Sequence, residues 1–444
     1  MLSRRRFLPS DKRKGHGRPT WYKDSMVLRS EPAGAAATAD RGELPVRVLA
    51  KVGEASLKGR NRRFFLDTLR RNLKSALAGL DVRTEDGGSV TAITVADEGV
   101  AAEVGARLER VFGFGAASTC LACDRDPEAI AAASLQIIER TRPASFAVRV
   151  RRRDKSFALT SQDLEREIGA AIQRSTSPPL PVDLSNPGLK LRVEIDHRHA
   201  YLHVHELPVA GGLPVGTSGR AVSLLSGGID SPVASLLAMK RGLGIDYLHF
   251  SGEPYLEPVA TGKAHAQARV LNGFQAARPG SLWVVPFGNQ QRMLSAVSPS
   301  PNRVVLYRRQ MARIGCALAE RLGATALITG DSLGQVSSQT LVNMTSVDDA
   351  STLPVLRPLL TWDKREVMAR AAGLGILALS ELAAEDACPL FTEGKQRTAV
   401  PREQLLEAEA QLDLAELAEQ GAAAAREVDP GVFLERLEPE SRAG

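Results

Sequence analysis

The chain has 444 residues, which is long enough for two to four domains with sizeable cores. Its 57 lysines and arginines against 51 aspartates and glutamates give a net charge of only +6, so the placement of charge matters more than its sum. No apolar run approaches the roughly 20 residues of a membrane helix, and we expect no membrane partner. Four scattered cysteines are too few for a disulfide framework. These features exclude a membrane protein and a disulfide-stapled secreted protein, and they indicate a cytoplasmic setting.

The beginning of the chain differs in composition from the rest. Residues 1–43 mix Arg, Lys, Gly, Pro and Ala without periodicity, which predicts a disordered basic extension. No apolar secretory core follows the arginines at positions 4–6, so we expect no signal peptide, and an organelle transit segment is a minor alternative.

The next segment, residues 44–105, has the pattern of a small α+β domain. Val46–Val52 predicts a strand, Asn61 can cap a helix with apolar residues every three or four positions, and Thr91–Val95 alternates like a second strand. This β-α-β order predicts a ferredoxin-like domain.

A second α+β unit follows over residues 106–209. Asp126 is a helix N-cap candidate before Pro127, Phe146–Val150 alternates as a strand, and residues 189–205 have the pattern of a hairpin.

Basic side chains in these two domains are candidate contacts for a polyanion. Three lie at a strand-helix connection and three alternate along one strand: Lys58, Arg60, Arg62, Arg149, Arg151 and Arg153. Phosphate contacts of this kind add a salt-dependent, sequence-independent affinity for nucleic acid. A solvated surface would have a similar composition, and for the first group the two interpretations are about equal.

The second half of the chain changes to alternating strands and helices. A glycine- and proline-rich linker covers residues 210–219, and residues 220–400 repeat a strand-helix pattern. The predicted strands are Val222–Leu225, Ile245–Phe250, Leu282–Pro286 and Ala326–Thr329. This alternation predicts a doubly wound parallel sheet with its ligand at the carboxyl ends of the strands. Residues 401–444 predict an acidic, helical C-terminal tail.

The first strand of this sheet leads into a distinctive loop. Ser226-Gly227-Gly228-Ile229-Asp230-Ser231 predicts a tight glycine turn and the first turn of a helix, with Asp230 or Ser231 as its N-cap. Backbone N–H groups that converge at a helix N-terminus favour an anion by roughly 0.3–2 kcal/mol. No lysine follows the glycines, so this is not the Gly-Lys-Ser/Thr mononucleotide loop.

The loop resembles the pyrophosphate loop (PP-loop) of the adenylating ATP pyrophosphatases. With the linker and the run Gly330–Thr340, residues 44 to about 430 resemble the tRNA 4-thiouridine synthetases, or tRNA sulfurtransferases, in the form without a rhodanese domain. The resemblance implies an α/β multidomain protein with a ferredoxin-like domain, a THUMP RNA-binding domain and a doubly wound, adenine-nucleotide hydrolase-like PP-loop domain.

The resemblance also implies an ATP site. The positions that match the family's nucleotide contacts are Leu224, Leu225, Ser226, Gly227, Gly228, Asp230, Ser231, His249, Phe250, Arg308, Gly330 and Gln339. Lys364 matches a family lysine that supports the phosphates or the target base. ATP is the implied cofactor together with Mg²⁺, for which Asp230 is a ligand candidate although we expect no dedicated protein metal site.

The implied reaction is the adenylation of a tRNA uridine at its 4-oxygen, followed by replacement of that oxygen with sulfur to give 4-thiouridine. Asp230, Lys364 and Cys388 are the implied catalytic residues, and Cys388 either carries the sulfur or resolves a persulfide. Cysteine desulfurase or another persulfide donor is the expected partner besides tRNA. The carrier protein of thiamine thiazole synthesis is a second acceptor, and a homodimer is left open.

Two other classes of protein are alternatives: an adenylating PP-loop enzyme with a non-sulfur nucleophile, and a catalytically silent tRNA-binding protein.

The pair Cys120 and Cys123, spaced Cys-x-x-Cys, is more consistent with structural or incidental cysteines than with a metal or redox pair.

Overall fold

A computed structural model describes residues 46–380 and 389–428. The predicted basic extension and Cys388 lie outside these ranges, as does the end of the predicted tail. None of the helices in the described ranges is long and apolar enough to cross a membrane.

The N-terminal half is built on one seven-stranded sheet with the order β2-β3-β1-β4-β7-β6-β5. Its strands are β1 (Val46–Val52), β2 (Arg83–Asp86), β3 (Val90–Thr94), β4 (Phe114–Cys123), β5 (Phe146–Arg152), β6 (Leu189–Ile195) and β7 (Ala200–Leu207). The α-helices between residues 46 and 209 are α1 (Arg62–Ala76), α2 (Glu98–Leu108), α3 (Pro127–Thr141) and α4 (Ser161–Ser175). The predicted hairpin is confirmed, since β6 and β7 pair antiparallel.

Strand β4 joins the two α+β units predicted from the sequence. It pairs antiparallel with β1 on one side and with β7 on the other. Helix α2 spans residues 98–108, so it runs across the predicted boundary between residues 105 and 106. The ferredoxin-like and THUMP-like parts therefore share a continuous sheet.

Side-chain caps fix the first turns of both helices of the THUMP-like part, and the cap at Asp126 is the one that the sequence predicts. The Asp126 carboxylate accepts hydrogen bonds from the Glu128 and Ala129 amides at the start of α3. The Thr160 hydroxyl caps α4 in the same way. Asn61 precedes α1 as predicted, but its side chain makes no capping hydrogen bond.

The C-terminal half contains a six-stranded sheet with the order β12-β11-β8-β9-β10-β13. Its strands are β8 (Arg220–Leu224), β9 (Gly244–Ser251), β10 (Leu282–Pro286), β11 (Leu327–Ile328), β12 (Val355–Leu356) and β13 (Arg426–Val428). The first five are parallel, which confirms the predicted doubly wound sheet, and β13 adds an antiparallel edge.

Nine helices surround this sheet within the described ranges. They are α5 (Asp230–Lys240), α6 (Val259–Asn272), α7 (Gly288–Val297), α8 (Ser300–Leu322), α9 (Leu341–Asp348), α10 (Lys364–Gly373), α11 (Leu377–Ser380), α12 (Arg402–Glu409) and α13 (Leu414–Ala423). Helix α8 crosses the centre of the larger core and packs against α13 and α9.

The described part of the predicted tail is helical, but it is built into this core. Leu405, Leu414 and Ala418 are buried in the same apolar cluster as β8 and α8, and β13 extends the sheet. The acidic Glu409 is also buried, where it accepts hydrogen bonds from Arg309 and Arg313. Residues 402–428 therefore belong structurally to the PP-loop domain.

Cys120 and Cys123 lie on opposite faces of β4, because side chains alternate along a strand. Cys120 is buried among Leu49 and Tyr201, whereas Cys123 is buried with the apolar side chains under α3 and α4. Their spacing along an extended strand is about 10 Å, beyond the roughly 7 Å Cα separation that a disulfide tolerates. Burial raises the pKa of each thiol to about 12. The structure therefore rules out a redox pair here.

Candidate active site

A cavity of about 420 Å³ lies at the carboxyl ends of β8, β9 and β11. Its size falls within the range of small-molecule sites. Ten of the residues that the sequence predicts to contact ATP line this cavity: Leu224, Leu225, Ser226, Asp230, Ser231, His249, Phe250, Arg308, Gly330 and Gln339. Val304, Met311, Asp331, Ser337, Ser338 and Pro389 are further wall residues. The sheet thus brings distant parts of the chain together where the parallel topology predicts a ligand.

The glycine loop, residues 226–231, reaches one end of this cavity through Ser226, Asp230 and Ser231, whereas Gly227 and Gly228 are not among the lining residues. Gly227 has a φ of 88°, a left-handed conformation that suits glycine. The Ser231 hydroxyl accepts a hydrogen bond from the Ser226 amide at 3.2 Å, and the Ser226 hydroxyl accepts one from the Gly228 amide at 3.3 Å. The predicted cap is wrong: α5 begins at Asp230 without a side-chain cap, because Ser231 is bonded within the loop instead. The first-turn amides of α5 are therefore left for a ligand.

Gly330 sits directly behind the start of α5. A Cβ atom at this position would lie 2.5 Å from the Ser231 nitrogen and 2.7 Å from the Asp230 carbonyl carbon. Such distances are far shorter than van der Waals contact, so any side chain at residue 330 would displace the glycine loop.

Asp230 and Lys364 form an ion pair beside the loop. The Lys364 ammonium lies 2.8 and 3.0 Å from the two carboxylate oxygens, and the Gln335 amide donates to the same group at 3.2 Å. Lys364 begins α10, whose first turn is fixed by a capping box between Asp363 and Glu366. The two predicted catalytic residues from β8–α5 and α10 are therefore in contact.

Asp331 organises the cationic wall of the cavity. Its carboxylate is buried and bonds the guanidinium groups of Arg308 and Arg357, with Arg357 Nε at 3.2 Å. The hydroxyl of Thr329 and the amide of Gln339 also donate to it, at 2.8 and 3.3 Å. Burial opposes ionisation of this carboxyl, but the Arg308 charge and these hydrogen bonds outweigh it, so the pKa of Asp331 is lowered.

Asp331 and Arg357 are absent from the residues that sequence reasoning assigned to the site. Asp331 directly follows Gly330 at the end of β11, and a polar residue in that position of a parallel sheet is a recognisable signal. Its partners Arg308 and Arg357 are more than 20 residues away on either side, and their convergence on it appears only in three dimensions.

His249 is a neutral hydrogen-bonding group in the cavity wall. Its Nδ1 lies 2.8 Å from the Leu225 carbonyl oxygen, which can only accept, so Nδ1 carries the proton. Burial lowers the pKa of the imidazole. Nε2 is buried and has no hydrogen-bond partner among residues 46–380 and 389–428. The imidazole therefore presents an acceptor next to the apolar side chains of Phe250 and Met311.

The predicted reactive residue Cys388 lies outside the described ranges. Pro389, the next residue in the sequence, lines the cavity.

The predicted RNA contacts do not all present a free charge. Arg151 is exposed, whereas Arg153 is paired with the buried Glu194, which also binds Lys51. Arg149 donates to the carbonyl oxygens of Val148 and Leu184.

In the first group, Arg60 is exposed. Lys58 pairs with Glu54 at 3.4 Å, and Arg62 donates to the Ser89 hydroxyl at 3.0 Å. Arg60 and Arg151 are the more accessible cations of the six.

The site combines a parallel sheet, a glycine loop at a helix N-terminus, and a wall in which the His249 acceptor lies beside apolar side chains. These features define the protein as a nucleotide-binding α/β enzyme. Three family models match the chain: a ThiI ferredoxin-like domain over residues 47–118, a THUMP domain over 124–205, and the thiamine biosynthesis protein (ThiI) over 216–414.

Similar proteins and a similar solved structure identify the family within this class of nucleotide-binding enzymes. A probable tRNA sulfurtransferase of Nocardia farcinica is 41% identical over 391 residues, covering 86% of this chain and 94% of the relative. Another, from Thermus thermophilus, is 42% identical over 364 residues, covering 82% and 89%. A crystal structure of a 4-thiouridine synthetase–RNA complex with bound ATP superposes with a TM-score of 0.78 at 32% identity, covering 87% of this chain and 99% of that one. The chain belongs to the tRNA sulfurtransferase family.

Proposed function

We propose that this protein uses ATP to adenylate a uridine of tRNA at O4 and then replaces that oxygen with sulfur, forming 4-thiouridine. The observation that carries the proposal is the cavity in which the glycine loop, the neutral His249 and the Arg308–Asp331 pair converge. The relatives' names and the RNA- and ATP-bound neighbour support the same reaction class.

ATP fits the cavity with its base and phosphates at different ends. The unpartnered Nε2 of His249 can accept a hydrogen bond from the adenine amino group, and Phe250 and Met311 offer apolar contact to the ring. The amides of the loop and of the first α5 turn then face the phosphates, where the helix terminus stabilises negative charge.

The first chemical step is attack of uridine O4 on the α-phosphorus, with pyrophosphate as the leaving group. Preorganised amides and the Arg308 guanidinium stabilise the charge that develops on the departing oxygen. Asp331 keeps Arg308 at the cavity wall, since it holds the guanidinium from the buried side.

Mg²⁺ is part of this proposal. Asp230 offers a hard carboxylate ligand beside the loop. A single carboxylate suits Mg²⁺, which commonly binds one or two carboxylates together with substrate phosphates and water. When bound, Mg²⁺ would neutralise charge on the pyrophosphate. Lys364 holds the Asp230 carboxylate in place. Its ammonium group is a second positive charge, besides Mg²⁺, next to that carboxylate.

Sulfur enters in the second step. The terminal sulfur of a persulfide attacks C4 of the adenylated uridine, and AMP leaves with the original oxygen. Attack of a thiol on the remaining sulfur–sulfur link breaks it and leaves a disulfide. We assign Cys388 to this stage, either as the persulfide carrier or as the thiol that resolves it.

The partners follow from this chemistry. tRNA would bind the shared N-terminal sheet through cations such as Arg60 and Arg151, in a cytoplasmic setting. A cysteine desulfurase or another persulfide donor supplies the sulfur. The description of the matched family as a thiamine biosynthesis protein supports a sulfur-carrier protein as a second acceptor.

The decisive test is incubation with tRNA, Mg-ATP and a persulfide donor, followed by nucleoside analysis for 4-thiouridine. Asp230→Ala should abolish AMP formation and leave tRNA affinity nearly unchanged, because the carboxylate lies at the phosphate end of the cavity. Cys388→Ser should still form AMP but fail to thiolate.

Full thiolation by Cys388→Ser would remove that residue from the mechanism. AMP formation without any sulfur incorporation by the wild-type protein would favour an adenylating enzyme with another nucleophile. A protein that binds tRNA but forms no AMP would be the catalytically silent alternative.

A further inference from the structure

A buried glutamine lies directly behind the phosphate loop. Gln267, on α6, is fully buried, and its side-chain nitrogen lies 2.9 Å from the Gly227 carbonyl oxygen and 3.1 Å from that of Gly228. The Ser380 hydroxyl lies 3.2 Å from the same nitrogen. Three acceptors around one atom identify it as the amide nitrogen and not the amide oxygen.

These contacts fix the direction in which the loop presents its own donors. In a trans peptide the C=O and the following N–H point in opposite directions. With the carbonyls of Gly227 and Gly228 held towards Gln267, the N–H groups of Gly228 and Ile229 point away from it. The Gly228 N–H accordingly donates to the Ser226 hydroxyl, and Ser226 lines the cavity.

Two consecutive glycines leave the peptide planes of the loop free to rotate except where hydrogen bonds hold them, and the Gly228 amide has one other such bond, to the Ser226 hydroxyl. Gly227 has a left-handed φ, and neither glycine has a side chain that would restrict rotation of the peptide groups. Lys263, one helical turn before Gln267, packs its stem beside Gly227 and donates to the Ser380 carbonyl oxygen at 3.0 Å. Helix α6 therefore supports the loop with one buried amide and one lysine stem.

We infer that Gln267 is a positioning residue for adenylation: it holds the two loop carbonyls back so that the loop amides face the ATP phosphates. The inference rests on the proposed function. It requires a donor at this position, since a glutamate carboxylate would place acceptor oxygens against two carbonyl oxygens.

The test is tRNA-dependent ATP–pyrophosphate exchange, which reports adenylation without sulfur transfer. Gln267→Ala should lower kcat/KM for ATP by about 10- to 100-fold, the scale expected when reacting groups are displaced by about 1 Å. Gln275→Ala is the matched control. Gln275 is also buried and donates to a backbone carbonyl, at Ile245, but this contact is away from the loop. The control should lose thermal stability to a similar degree and keep the wild-type kcat/KM.

Gln267→Glu separates a donor role from simple packing. When protonated, the introduced carboxyl can donate one hydrogen bond, and when ionised it can donate none. The exchange activity of Gln267→Glu relative to wild type should therefore rise as pH falls.

Wild-type kcat/KM in Gln267→Ala, equal losses in Gln267→Ala and Gln275→Ala, or a pH-independent activity ratio for Gln267→Glu would each overturn the inference. If the wild-type protein itself shows no tRNA-dependent exchange, the proposed function is wrong. If the wild-type protein is active and the variants behave as just described, only the role of Gln267 is wrong.

Discussion

Single residues set the geometry of the cavity at the end where the glycine loop lies. Gly330 is the clearest case, because the backbone that follows β11 passes so close to Asp230 and Ser231 that a methyl group has no room. The family resemblance marks Gly330 as an ATP contact, whereas the structure gives it a further reason: it allows the start of α5 to lie against the sheet.

Gly330→Ala should therefore weaken ATP binding by about 5- to 150-fold, since overpacking a close contact typically costs about 1–3 kcal/mol. Isothermal titration with a non-hydrolysable ATP analogue measures the change. Gly373→Ala is the control, because a Cβ there meets nothing within 4 Å and α10 gains a better helix former. Equal ATP affinity in both variants would show that the loop tolerates the displacement.

The charged residues that are predicted to contact RNA differ in what they can offer to a phosphate. Arg151 is exposed, but Arg153 is bonded to the buried Glu194, together with Lys51. Removing Arg153 takes a partner from a buried carboxylate and should lower stability more than RNA affinity.

Arg151→Ala should weaken tRNA binding and lower the slope of log K against log salt by just under one, the value for one phosphate contact. Arg153→Ala should change this slope less and lower the midpoint of thermal unfolding more. Binding measured at four salt concentrations tests both variants. An unchanged slope for Arg151→Ala would move the RNA surface elsewhere on the protein.

At the scale of secondary structure, α8 connects the cavity to the C-terminal helices. Consecutive residues on a helix are about 100° apart, so Arg308 and Arg309 point in different directions. Arg308 reaches Asp331 in the cavity wall, and Arg309 bonds Glu409 at the end of α12, at 2.6 and 2.8 Å. Arg313, one turn further, bonds the same carboxylate at 2.9 and 3.0 Å.

Glu409→Gln should destabilise the protein by about 3 kcal/mol, since it removes the charge of the nearer of two carboxylates from the fully buried Arg309, and the other, Asp349, lies 3.4 Å away. Glu419→Gln is the matched control: its carboxylate pairs with Arg321 at 2.7 Å, but the side chain is 64% exposed. The control should cost less than about 0.5 kcal/mol. Urea unfolding followed by circular dichroism compares the two, and equal losses would contradict a structural role for the buried pair.

The sequence predicts these elements unevenly, and the reasons are physical. Local sequence patterns identify the start of α3 from its cap and the strands β8 to β10 from their apolar runs, because neighbouring residues alone determine them. The role of residues 402–428 is not predictable in this way: the acidic composition suggests a solvated tail, while Glu409 is buried against arginines about 100 residues away. The position of Asp331 after a parallel strand is recognisable in the sequence, but its contacts escape prediction for the same reason, since Arg308 and Arg357 are remote in sequence.

At the scale of the whole described chain, a few contacts hold the N-terminal sheet to the PP-loop domain. Arg241, at the end of α5, forms a two-pronged pair with Glu54 at 2.8 and 3.0 Å. The Gly113 amide donates to the Gly211 carbonyl oxygen at 2.8 Å, and the rings of Phe112 and Phe274 stack with centroids 5.8 Å apart.

The pair between Glu54 and Arg241 predicts an acid-sensitive contact. The hydrogen bond from Arg241 lowers the pKa of Glu54 from 4.5 to about 2. Its stabilisation is therefore complete above the unfolded-state pKa and is lost as pH falls from about 4.5 towards 2. Because both side chains are more than one-third exposed, the contribution is about 0.5–1 kcal/mol.

Glu54→Gln should lower the free energy of unfolding by that amount at pH 7 and have no effect near pH 2. Urea titrations of both proteins between pH 2 and pH 7 measure the difference. A difference that is constant across this range would show that the charge of Glu54 does not contribute.

The shared sheet limits how this protein can be divided or recombined. Strand β4 is bonded along both sides, so cutting the chain between its two N-terminal parts would leave a ten-residue strand with an open edge. Open edges of that length promote aggregation. Residues 46–209 are therefore expected to behave as one exchangeable cassette, and any chimera or split protein should place its junction in the glycine-rich stretch 210–219.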